Sequence, residues 1–120
     1  EILHRATEHN SVPDTTAELD LSRVMQCMDT TNGVMALFRH LQRTAQDCGF
    51  GEIGCFQVGG LSDSGITVAC GVPTVCGMGV RGEGNHTPDE YAEVESLFQR
   101  SVLAACAAYT LNDDFAKAAE

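Results

Sequence analysis

The feature that most constrains this chain is the stretch TNGVMALFRHLQRTAQDCGF, residues 31 to 50. Val34, Leu37, Phe38, Leu41, Ala45 and Cys48 recur at intervals of three and four, which places them on one face of an amphipathic helix. Thr31 or Asn32 supplies an N-cap, and Gly49 followed by Phe50 supplies a left-handed stop with its apolar contact. The spacing therefore predicts a helix over 32–48 that must bury one face against something else.

Beyond residue 50 the chain is punctuated by glycine. Residues 53 to 58 read as a strand ending at Gly59-Gly60, after which Ser62 or Asp63 can cap a short helix that stops at Gly71. Residues 73 to 78 read as a second strand, with Pro73 at its tolerated first position. Thr87-Pro88-Asp89-Glu90 then has the form of a capping box: a hydroxyl, a proline at the first helical position and a glutamate three residues after the cap. Tyr91, Val94, Phe98, Val102, Ala105, Cys106 and Tyr109 would form the apolar stripe of the helix it opens. Strands alternating with helices predict an α/β fold, a small parallel sheet with helices packed on it. Both glycine-rich loops, 59–65 and 77–85, would then emerge beyond the carboxyl ends of the strands, where ligands bind in such sheets.

Before this region, Ile2, Leu3 and Ala6 suggest the end of a helix. Ala17, Leu19 and Leu21 alternate with Glu18, Asp20 and Ser22 as in a half-buried strand. The chain starts at Glu1 with no apolar run of signal-peptide or membrane-span length, which reads as a cut or processed edge.

Charge narrows the partners. Seventeen acidic residues against seven basic ones give −10, and the basic residues are scattered, which argues against nucleic acid and anionic membranes. Six cysteines without a C-x-x-C motif fall largely at apolar positions, so free core thiols in a reducing, cytoplasmic setting are expected.

Several side chains carry two readings. Gly77, Gly79 and Gly82 match G-x-G-x-x-G after a strand, but Glu83 follows where a helix N-terminus should hold phosphate, which weighs against a nucleotide. His86 precedes the expected final N-cap, so it is either a metal ligand or simply a solvated loop histidine; no H-x-x-x-H, H-x-D or C-x-x-C accompanies it. Ser62 and Asp63 are helix caps or, with the amides of Gly59 and Gly60, donors and acceptors for a substrate. Cys76 and Cys70 lie near the same edge as conceivable nucleophiles, although packed thiols are commoner. His4, His9 and His40 have no partner that spacing identifies.

Four pieces, GGLSDSG, GVPT, GMGVRGEGNH and HTPDEY, occur in the order and spacing that resemble the carboxyl-terminal end of zinc metallopeptidases of the carboxypeptidase G, aminoacylase and succinyl-diaminopimelate desuccinylase type. The resemblance covers about residues 28 to 110. It implies that 28–112 is the carboxyl-terminal part of a catalytic α/β domain, that 1–27 is the tail of an inserted lid or dimerisation domain, and that 113–120 is a frayed tail. It implies a parent enzyme, homodimeric in one expectation, that uses two zinc ions to cleave an amide beside a carboxylate in a small peptide or N-acyl amino acid. His86 matches a terminal zinc ligand of that family, Gly59, Gly60, Ser62 and Asp63 border its substrate site, and Asn85 adjoins the ligand. The family's H-x-D motif, bridging aspartate and paired glutamates are absent here, and Cys76 stands where many members have aspartate. The chain would thus carry no catalytic residue and be inactive alone. The alternative is a non-catalytic α/β binding domain whose glycine-rich loops hold a small anion.

Overall fold

The computed structural model describes residues 1–8, 11–22 and 24–112. Helix α1 spans Ile2–Glu8, α2 Asn32–Asp47, α3 Ser64–Ala69 and α4 Val94–Thr110; two short strands, β1 Gly82–Glu83 and β2 Tyr91–Ala92, pair between α3 and α4.

Helix α2 forms where its pattern predicts. The Thr31 hydroxyl accepts the Val34 amide at 3.2 Å, satisfying one of the orphan donors of the first turn. At the other end Gly49 takes φ +73°. Its amide donates to the Gln46 carbonyl and the Phe50 amide to the Ala45 carbonyl, both at 2.9 Å, the paired closure of a Schellman stop. Phe50 then folds back onto the core. Helix α3 closes the same way, with Gly71 at φ +81° and the Val72 amide bonded to the Thr67 carbonyl.

The expected parallel sheet does not form. The chain is mostly helical, and among the described residues the sheet consists of β1 and β2 alone, antiparallel, with Gly82 opposite Ala92 and Glu83 opposite Tyr91. The stretches 53–58 and 73–78 lack regular secondary structure. A strand exists only through a neighbour that completes its ladder, and parallel strands need cover on both faces. Here Ile53, Val75 and Met78 turn toward the helices, while Phe56 stays 85% exposed. The Ile53 carbonyl is met by the side chain of Gln42, at 3.0 Å, instead of by a strand. Residues 17–22 likewise form no strand, and Leu21 is exposed.

The final helix starts at Val94, not at Pro88 as its capping box suggests. Thr87 spends its hydroxyl on the Gly84 carbonyl at 2.7 Å, inside a turn that the Thr87 amide closes onto the same carbonyl at 3.0 Å. Tyr91 and Ala92 are then held in the ribbon, so helical dihedrals begin only beyond it. Gly82 is required there, because a Cβ would strike the Tyr91 carbonyl. Ser96, fully buried, fixes the junction: its hydroxyl donates to the Glu93 carbonyl at 2.6 Å and accepts the Arg81 amide at 2.9 Å.

The core sits where α2 meets α4. Leu41, Ala45, Leu103 and Ala107 are buried, with Phe50, Ile53, Val75 and Met78 packed against them. The face of α4 that turns inward carries Ser96, Leu103 and Ala107, not the stripe read from sequence. Val94, Leu97, Phe98, Val102 and Tyr109 are exposed. The total accessible surface is 9577 Å², against roughly 6,300 Å² for a compact monomer of this mass.

Candidate functional site

The expected site residues lie in two stretches of the chain, 59–63 and 85–86. The first is the start of α3. Ser62 is half-buried; its hydroxyl accepts the Ser64 amide at 3.1 Å, bonds the Ser64 hydroxyl, and lies 3.4 Å from the Cys76 thiol. The capping duty thus falls to Ser62, while Asp63 occupies the N-cap position with no side-chain cap bond and an exposed carboxylate. Gly59 and Gly60 are exposed on the approach. Alongside, the Thr67 and Thr74 hydroxyls meet at 2.8 Å, which ties α3 to the segment that carries Cys76.

Cys76 belongs to this cluster and is exposed, not a packed strand thiol. Hydrogen bonds from the Ser62 hydroxyl, then Ser64, hold its thiol below the ordinary value, with a smaller contribution from the Gly77 amide, against the opposing effect of burial. The available signal is the pair of hydroxyls in Ser62-Asp63-Ser64, but nothing local says that residue 76 returns to them. Of the other thiols, Cys27, Cys55 and Cys70 are exposed too, and only Cys48 and Cys106 are partly covered, which corrects the expectation of core cysteines.

The second place is the turn at 84–87, which the ribbon clasps. His86 is exposed and has φ +66°, a left-handed conformation uncommon outside glycine and tolerated by histidine more than by most residues. Asn85 and Glu90 face one shallow depression, lined also by Val80, Gly82, Tyr91 and Ala92. Arg81 borders the loop, but its guanidinium is engaged by Glu93 at 3.0 Å and Gln99 at 3.5 Å. That pairing, together with the acidic balance of the chain, disfavours capture of a free anion there.

Zinc does not fit the described residues by themselves. Tetrahedral sites draw on at least three protein ligands, and among the described residues no group of three His, Cys, Asp or Glu side chains is arranged to hold a metal. His40 is committed elsewhere: its Nε2–H donates to the Ala107 carbonyl at 2.9 Å, across the α2–α4 seam. His9 lies outside the described residues. No described helix is long and apolar enough to cross a membrane. Comparison with family models, with curated proteins and with solved structures finds no match.

Proposed function

We propose that this chain is one wall of an amide-hydrolysing, two-zinc site, contributing His86 as a terminal ligand and the 59–63 loop with Asn85 toward the substrate, and that it hydrolyses nothing by itself. The observation that carries the reading is the presentation of His86. A tight turn closed by Thr87 lifts an exposed imidazole out of a left-handed backbone position, at the point where the sequence resembles a zinc-ligand motif. Among the described residues no group of three His, Cys, Asp or Glu side chains is arranged to hold a metal, so the reading requires co-ligands from elsewhere. The exposed outer stripe of α4 and the exposed Phe56, Val58 and Leu61 are the kind of surface that the remainder of a catalytic domain would cover. The substrate class rests on the resemblance: a small peptide or N-acyl amino acid with a carboxylate beside the scissile amide.

No catalytic step is assigned to residues of this chain, because the reading places the remaining ligands and the base elsewhere. The test has two arms. Calorimetric titration of the isolated chain with zinc should show no saturating one-to-one binding at micromolar metal, and tight binding unaffected by His86→Ala would overturn the assignment. In a longer protein that contains this segment together with an H-x-D motif and a Glu-Glu pair, His86→Ala should remove zinc and amidase activity together. Full zinc stoichiometry in that variant would refute the ligand role.

A further inference from the structure

Successive residues of an α-helix are rotated by about 100°, so in α4 Val94, Phe98, Ala105 and Tyr109 fall along one line, with Leu97 and Val102 to its two sides. That line lies opposite the buried Ser96, Leu103 and Ala107, and all six of its side chains are exposed, Val94 at 72%, Phe98 at 62% and Tyr109 at 90%. Over the whole helix, about 25 Å long, only Glu95 and Arg100 are charged. Neither interrupts the line: Glu95 stands at its margin, and the half-buried Arg100 lies on the inward flank. A chain of net charge −10 thus presents one long face that is apolar and neutral.

We propose that this face pairs with the same face of a second copy of the chain, the two α4 helices running antiparallel about a two-fold axis between Ser101 and Val102. In that register Phe98 lies opposite Ala105 of the partner subunit and Val94 opposite the partner's Tyr109, so each aromatic ring is met by a smaller side chain, as close helix packing requires. The antiparallel sense also sets the positive N-terminus of each helix beside the negative C-terminus of the other. Area supports the same occupant. Phe98 and Tyr109 alone expose on the order of 300 Å², and with Val94, Leu97, Val102 and Ala105 the face approaches the roughly 800 Å² that each partner gives to a standard interface. The accessible surface exceeds that of a compact monomer by roughly 3,300 Å², so the chain has this area to cover. Charge permits it as well, since two copies that repel elsewhere meet here through a neutral surface. The pairing is reversible and belongs to the 120-residue chain by itself; a larger catalytic domain would compete for the same face. It therefore goes beyond the metal-site reading, and neither depends on the other.

Sedimentation velocity of the whole chain across a dilution series tests it. The expected result is a monomer at high dilution in equilibrium with a species of twice the 12.8 kDa chain mass. Phe98→Glu should raise the dissociation constant on the order of 30-fold or more, as loss of a central aromatic anchor does, with far-UV circular dichroism unchanged because Phe98 lies outside the core. Ala105→Lys should weaken the dimer too. Combining Phe98→Glu with Ala105→Lys should restore it, because antiparallel pairing sets each new carboxylate against the partner's new ammonium, twice over. A parallel pair would set like charges together and stay apart. A monomer at the highest soluble concentration, its face left for another polypeptide, overturns the proposal. So does an open-ended aggregate, a dimer indifferent to Phe98→Glu, or a double variant without recovery. Hydrogen exchange slowed by concentration at 53–61 and not at 94–109 would place the interface on another face and overturn it equally. The mass of the unsubstituted chain decides the matter even if a variant fails to fold.

Discussion

Ser96 is a small residue with a large structural duty. It is fully buried, and its hydroxyl serves the Glu93 carbonyl and the Arg81 amide at once. Ser96→Ala strands that buried amide, so unfolding in urea should show a loss of about 1–3 kcal/mol. Ser62 acts on reactivity instead. Its hydrogen bond is the main reason that the Cys76 thiol lies below its ordinary value, so the thiolate persists to lower pH than in an unassisted cysteine. Ser62→Ala should move the pH midpoint of Cys76 alkylation upward and slow the reaction at neutral pH; an unchanged midpoint would show that the contact has no such effect. Neither role is visible in sequence. Both depend on partners far along the chain, residue 81 for Ser96 and residue 76 for Ser62.

At the scale of elements, sequence is legible where structure is locally determined. Helix α2 can be read because its period, its Thr31 cap and its Gly49 stop all lie within one stretch and agree. The segments 53–58 and 73–78 carry β-favouring residues, but strand formation requires a neighbour that sequence cannot supply, and among the described residues none pairs with them. Thr87-Pro88-Asp89-Glu90 is a sound local helix signal overridden by a longer-range one, the pairing of 82–83 with 91–92. A turn and an N-cap at Thr87 differ in a measurable way. Thr87→Ala should leave far-UV helicity unchanged, because α4 begins at Val94, whereas a true N-cap would lose helix content along with about 1 kcal/mol. The inward face of α4 is checked similarly. Leu103→Ala should cost about 2–5 kcal/mol by opening a cavity in the core, while Phe98→Ala on the outer face should change stability by about 0.5 kcal/mol or less.

Taken as a whole, the molecule is thin and open. Its radius of gyration is 19.5 Å, with extents of 60 × 40 × 20 Å, where a compact chain of this length would have about 14 Å. The exposed apolar side chains on the outer side of α4 predict that the isolated chain self-associates and binds hydrophobic dyes. Replacing Phe98 and Val102 together by lysine should lower dye fluorescence and raise solubility without lowering the urea midpoint; a large drop in midpoint would place those side chains in the core after all. The candidate metal site is legible only as one histidine in a suggestive motif, because the partners of a ligand are set by tertiary placement. The ribbon adds something of a different kind. Strands β1 and β2 clasp residues 84–90 at their base through backbone pairing, and the side chains of that loop are exposed and stand outside the core. The clasp therefore uncouples the loop's sequence from the stability of the helices, and new residues or altered lengths can be tried there as on a grafting platform, with the scaffold beneath left in place.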